Sequence, residues 1–168
     1  MSDRYSPATE PSTIGRKLIK QHHKHLVSRR VDFVFREAFD SEESPRTITS
    51  KGRNLYGKAK LVTGLNSFLA TDENSDVGPF FVIVISKCFW DTASQEFKHA
   101  LIDHELCHCE YDSDTDRYSL REHDVAEFTE IVRRHGLWHH DVEVFVKAAK
   151  QQSFQFDETK QRGAQLDH

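Results

Sequence analysis

His104-Glu105-Leu106-Cys107-His108 sets two imidazoles four residues apart, with a carboxylate directly after the first. On a helix, residues at that spacing lie one above the other with Cβ atoms about 5–6 Å apart, close enough to share one tetrahedral zinc ion. Glu105, turned about 100° from His104, falls beside such an ion instead of on it. The pattern predicts metal-assisted hydrolysis: Zn2+ held by His104 and His108 polarises a carbonyl, and Glu105 acts as catalytic base toward water. In a chain with eleven histidines some HExxH pattern arises by accident roughly one time in twenty, so its surroundings must also fit. A solvent-facing Glu105 is the bland alternative.

A catalytic zinc takes three protein ligands and keeps one position for water. His123, fifteen positions after His108, is the expected third metal ligand, because the intervening polar stretch is long enough to reverse direction. Glu127, one helical turn beyond His123, competes for that role. Asp124 is then suited to orienting an imidazole through its free N–H. Tyr111, Tyr118 and Arg121 are candidates for stabilising an oxyanion, and spacing distinguishes none of them.

These side chains need a helix and a sheet to position them. Asp91 or Thr92 can cap a helix, and no Gly or Pro interrupts residues 93–111. Phe97, Ala100, Leu101, Ile102 and Leu106 spread around that helix, as expected of one covered on most sides. Before it, Val31–Phe39, Leu55–Leu65 and Pro79–Ser86 read as strands, with Gly57 and Gly64 as bends or bulges. Pro79–Ser86 is apolar enough to be covered on both faces, and as an edge strand it could align an extended peptide. Ser12 or Thr13 can cap an earlier helix to about Val27, burying Ile14, Leu18, Ile19 and Leu26. Later, a helix starts at His123 or Asp124 and ends at Gly136, and another covers about Asp141–Gln151. The order implies an α+β fold, a short mixed or antiparallel sheet packed on the HExxH helix.

The 168 residues suit one domain, expected over residues 13–152 between a disordered tail of residues 1–12 and a flexible tail of residues 153–168. A net charge of −4 argues against nucleic-acid binding through bulk positive charge. Arg16–Arg30 is nonetheless basic with no acid, and reads first as a solvated helix face. His22, His23 and His25 within it read as surface histidines before they read as ligands. The longest apolar run, Phe80–Ile85, is too short to span a bilayer, so no membrane partner is expected. Three cysteines, with Cys107 and Cys109 diverging on one helix, suit a reducing, cytoplasmic setting. A zinc site gripping both Cys107 and Cys109 is disfavoured by that same divergence, about 200°. Cys88 reads as a small apolar filler.

His104-Glu105-Leu106-Cys107-His108, His123 and Glu127-Phe128 locally resemble the SprT/Spartan-like zinc peptidases. Asp124-Val125-Ala126 stands where that pattern has Gly-Pro, and no zinc ribbon follows. A broader resemblance, to the phage metallopeptidase family, runs through Lys58-Ala59-Lys60, Phe81–Ser86, Trp90, Asp103–His108, His123–Phe128 and Gly136-Leu137-Trp138. It implies a single-domain zincin, encoded by a phage or prophage, with His104, His108 and His123 as metal ligands and Glu105 as base, acting on a protein or peptide. The host cytoplasm is then its expected location. Two other functions stay open: a silent zinc-stabilised binding module, and a DNA-associated protein-processing factor of SprT type using Arg16–Arg30.

Overall fold

The computed structural model describes residues 3–41, 44–46, 49–50, 53–71, 78–123, 128–140, 142–147 and 150. They fall into two units, residues 1–123 and 124–168. The first holds every strand among the described residues.

In that unit β1 (Asp3–Pro7), α1 (Thr9–His22) and a 3₁₀ turn (Lys24–Leu26) lead into β2 (Val31–Ser41). Three short strands follow, β3 (Ser44–Arg46), β4 (Thr49–Ser50) and β5 (Arg53–Asn54), then β6 (Gly57–Leu61) and α2 (Gly64–Leu69). After β7 (Phe81–Ser86) and α3 (Lys87–Trp90), α4 (Gln95–His108) runs directly into the hairpin of β8 (Cys109–Asp112) and β9 (Arg117–Leu120). The main sheet has the order β1-β2-β7-β6, with β3 pairing off the end of β2. β2 and β7 are parallel while the other pairings are antiparallel, so the expected α+β fold has a mixed sheet.

The register explains the core. Phe33 and Phe35 pair with Ile83 and Ile85, and Ala59 pairs with Ile83 from the other side. Strand side chains alternate, so these residues share one face, and all are buried. Helix α1 lies on that face: a Cβ on Gly15 would stand 2.3 Å from Phe33 Cζ, so only glycine lets the backbone come this close. α1 also packs on α4, which in turn meets β6. Glu10, in the first turn of α1, accepts hydrogen bonds from Trp90 Nε1 at 2.8 Å and Lys98 Nζ at 3.3 Å, tying α1 to α3 and α4.

Several boundaries differ from the sequence reading. Asp3–Pro7, polar enough to read as loose chain, pairs residue by residue with β2. α1 starts at Thr9 and stops at His22, with a 3₁₀ turn carrying the chain on to Leu26. The metal-motif helix is capped by Ser94, whose Oγ accepts from Phe97 N at 3.2 Å, and ends at His108 rather than near Tyr111. Asp91–Ser94 separates it from the short helix α3, so the run of residues 93–111 free of Gly and Pro holds one helix that starts after Ser94 and gives way to strand at Cys109. The polar stretch 111–118 is a β-hairpin. β7 is interior, paired with both β2 and β6; the sheet edge nearest α4 is β6, not Pro79–Ser86.

In the second unit α5 (Thr129–His135) begins later than His123, and Gly136, at φ +67°, ends it as anticipated. Residues 142–147 are helical. Residues 151–168 lie outside the described residues, as do Asp124 and Glu127.

Candidate metal centre

His104 and His108 lie on the same side of α4, one turn apart, with ring centroids 5.1 Å from each other. His123 comes back over them from the segment after β9, its ring 4.9 Å from that of His104 and 4.7 Å from that of His108. His104 Nε2 and His123 Nε2 stand 3.1 Å apart. Two nitrogens bound about 2.0–2.1 Å from one tetrahedral ion keep a separation of about 3.3 Å, so the spacing fits a shared cation. One donor atom from each of the three histidines lies within 4.8 Å of the other two, and the group grades from half-buried to exposed. An open side of this kind suits a site that must admit a substrate.

A hydrogen bond fixes how His108 can serve. Its Nδ1 lies 2.7 Å from the main-chain oxygen of Arg121. A carbonyl only accepts, so Nδ1 carries the proton and Nε2 of the neutral ring keeps its lone pair for a metal. Arg121 N in turn donates to the His108 carbonyl at 2.8 Å, pinning the segment that delivers His123 to the end of α4. A carbonyl contributes nothing to a residue pattern, so this contact had no signal in the sequence.

Glu105 is 5% exposed and points to β6, where the Ala59 amide donates to Oε2 at 2.8 Å. Ser86 N bonds Tyr56 O and Val62 N bonds Phe80 O, so even-numbered residues of this strand turn their main-chain groups toward β7. The amides of Gly57, Ala59 and Leu61 therefore face outward, and Glu105 occupies the middle one. A Cβ on Gly57 would lie 2.8 Å from Glu105 Oε1. Gly57 is thus a point of close approach and not the bend read from the sequence. The strand reading did contain the signal, since glycine inside a strand marks either.

Of the three oxyanion candidates, the two tyrosines make other contacts. Tyr118 stacks on Phe80 with ring centroids 4.1 Å apart, and its burial there raises the phenol pKa above its ordinary value. Tyr111 donates to Asp116 at 3.0 Å and lies under the Arg29 guanidinium. Arg121 contributes its backbone to the placement of His108 and His123.

Another side of α4 meets one histidine that the sequence suggested was on the surface, whereas His22 and His25 are exposed as expected. His23 is 4% exposed, and its Nε2 is 2.6 Å from Oδ1 of the fully buried Asp103. His25 Nε2 donates to the Cys109 carbonyl at 2.9 Å. Cys109 is also buried, and the apolar setting pushes its thiol pKa far above the ordinary range, leaving it inert as a thiolate.

Together the fold and site define an α+β protein whose HExxH helix carries two members of a three-histidine metal-binding group, with His123 as the third. The chain belongs to the family described as Putative phage metallopeptidase, which it matches over residues 3–150. No curated protein and no solved structure matches it. Among the described residues no helix is long and apolar enough to cross a membrane.

Proposed function

We propose that the protein is a zinc-dependent peptidase that hydrolyses peptide bonds in protein or peptide substrates. The observation that carries this reading is the convergence of His104, His108 and His123 in one group, with Glu105 next to the first of them on α4. His104, His108 and His123 are the ligands, His108 through the Nε2 that its bond to Arg121 leaves available. A zinc ion in such a centre supplies Lewis-acid polarisation of a carbonyl and an acidified water. Glu105 receives the proton of the attacking water and returns it to the departing amine. The Ala59 amide holds that carboxylate at one rotamer until it is needed.

The outward edge of β6 gives the substrate a place to lie. An extended peptide can add to it through the main-chain groups of Gly57 and Leu61, on either side of the point where Glu105 meets the strand. Cleavage would then depend on an unfolded or extended segment, since a folded strand has its own main-chain groups already paired.

Glu105→Gln tests the assignment. The amide cannot take the proton, yet it preserves the shape and the three imidazoles. The variant should keep its zinc, measured by plasma mass spectrometry, and lose at least about 100-fold in turnover of an unfolded protein substrate. Full activity with full zinc would remove Glu105 from the chemistry. Retained zinc with no activity in either wild type or variant would favour a metal-stabilised binding module.

A further inference from the structure

We propose that His23, Asp103 and Cys107 form a second metal site, closed to solvent, on a side of α4 next to the one that carries His104 and His108. It would take a divalent cation that accepts mixed nitrogen, oxygen and sulfur donors, zinc first among them.

Helix α4 carries the i, i+4 spacing twice. His104 and His108 use it on one side; Asp103 and Cys107, each one residue earlier, use it on a neighbouring side, about 100° around the helix. Each pair meets a histidine from elsewhere in the chain, His123 in the first case and His23, just past the end of α1, in the second. One donor atom from each of His23, Asp103 and Cys107 lies within 4.8 Å of the other two. Metal–ligand lengths of about 2.0–2.3 Å place tetrahedral donors about 3.3–3.6 Å apart, so small rotations of these side chains suffice. The 2.6 Å contact of His23 Nε2 with Asp103 Oδ1 opens by less than about 1 Å on binding.

Burial separates the two sites in kind. Exposures of 4%, 0% and 8% for His23, Asp103 and Cys107 contrast with an open catalytic group. A site closed to solvent suits a structural ion, whereas a catalytic one must keep a vertex open to substrate. A carboxylate with no solvent access is costly unless a cation accompanies it, and a metal ion meets that need with more charge than an imidazolium. Three side-chain donors leave a fourth position for water, and it is the burial of all three residues, not the number of donors, that sets this site apart from the open one. The arrangement would clip the end of α1 to the helix that positions the catalytic ligands, adding a link to the one Glu10 makes at the other end of α1. It also gives Cys107 a task distinct from that of Cys109, whose thiol rests on the Glu105 carbonyl at 3.6 Å.

Cobalt substitution of the full-length protein tests this without reference to activity. The His104→Ala/His108→Ala double variant removes the first centre. The proposal expects two metal ions per chain in wild type and one in the double variant. It also expects a near-ultraviolet thiolate-to-cobalt charge-transfer band in both, and a rise in the melting temperature of the double variant on adding the metal. Cys107→Ser should abolish the band. If that variant fails to fold, the band and stoichiometry of the double variant still decide. A single ion per chain in wild type with no thiolate band would overturn the proposal and leave His23 and Asp103 as a hydrogen-bonded pair. A band that survived in folded Cys107→Ser would overturn it as well, because the thiolate would belong to another cysteine.

Discussion

Gly57→Ala is a one-methyl perturbation aimed at the contact between Glu105 and the sheet edge. The new Cβ would sit 2.8 Å from Glu105 Oε1, 3.1 Å from Cγ and 3.2 Å from Cδ. Ordinary contact for a Cβ begins near 3.4 Å, so the carboxylate must retreat by about 0.6 Å. That retreat carries the 2.8 Å bond from Ala59 N to Oε2 beyond good hydrogen-bonding distance. Loss of a buried bond to a charged acceptor costs about 1.5–3 kcal/mol. The added methyl returns about 0.5–1 kcal/mol by restricting the unfolded strand. Net destabilisation should therefore be about 0.5–2.5 kcal/mol. A misplacement of 1 Å at a reacting group can cost about 100-fold in rate, so half of that should lower kcat about 10-fold. Urea denaturation and steady-state kinetics on an unfolded protein read the two effects, with metal content confirmed in each preparation. The stability cost should vanish when Gly57→Ala is introduced into Glu105→Ala, because the side chain it collides with is gone. Wild-type kcat and stability in Gly57→Ala would refute the reasoning.

Gly15→Ala raises helix propensity by about 1 kcal/mol yet should destabilise the protein by about 1–3 kcal/mol, because its methyl meets the Phe33 ring; a gain in urea midpoint would contradict the α1–sheet packing. The hydrogen bond from Trp90, aided by Lys98, lowers the Glu10 pKa below its ordinary value near 4.5. Its contribution to stability is therefore present above pH 4.5 and lost as pH falls through the lower, folded value. Wild type should lose stability across that acidic window more steeply than Glu10→Gln, and parallel curves would count against the contact. Zinc removal by a chelator should lower the melting temperature, with free zinc at 100 times its dissociation constant restoring about 2.7 kcal/mol.

What the residue pattern could and could not reveal follows from where information sits in a chain. The HExxH spacing carries its geometry with it, since any helix brings His104 and His108 to one side, and the chain brings a donor atom of His123 within 4.8 Å of theirs. The apolar run of β7 likewise announced a covered strand, and Ile14, Leu18 and Ile19 of α1 are buried as their spacing implied. Contacts made by main-chain atoms left no mark. The Arg121 carbonyl on His108 and the Ala59 amide on Glu105 could belong to any residue type. His23 misled for another reason: local composition around it is basic and polar, and only the packing of α1 on α4 turns it inward, while His22 and His25 are exposed as expected. The sheet edge was misassigned because β7 and β6 both read as strands, and strand order is a property of the whole topology. Asp3–Pro7 read as loose because its pairing with β2 is made by backbone, to which Ser and Pro content is a poor guide.

Anomalous diffraction at the zinc edge from crystals of the zinc-loaded protein tests the central claim most directly. The account predicts a peak bounded by His104, His108 and His123, about 2.0–2.1 Å from a nitrogen of each, with Glu105 outside the coordination sphere. Zinc-loaded crystals with no anomalous density among those three rings, or with Glu105 coordinating the ion in place of one of them, would contradict it.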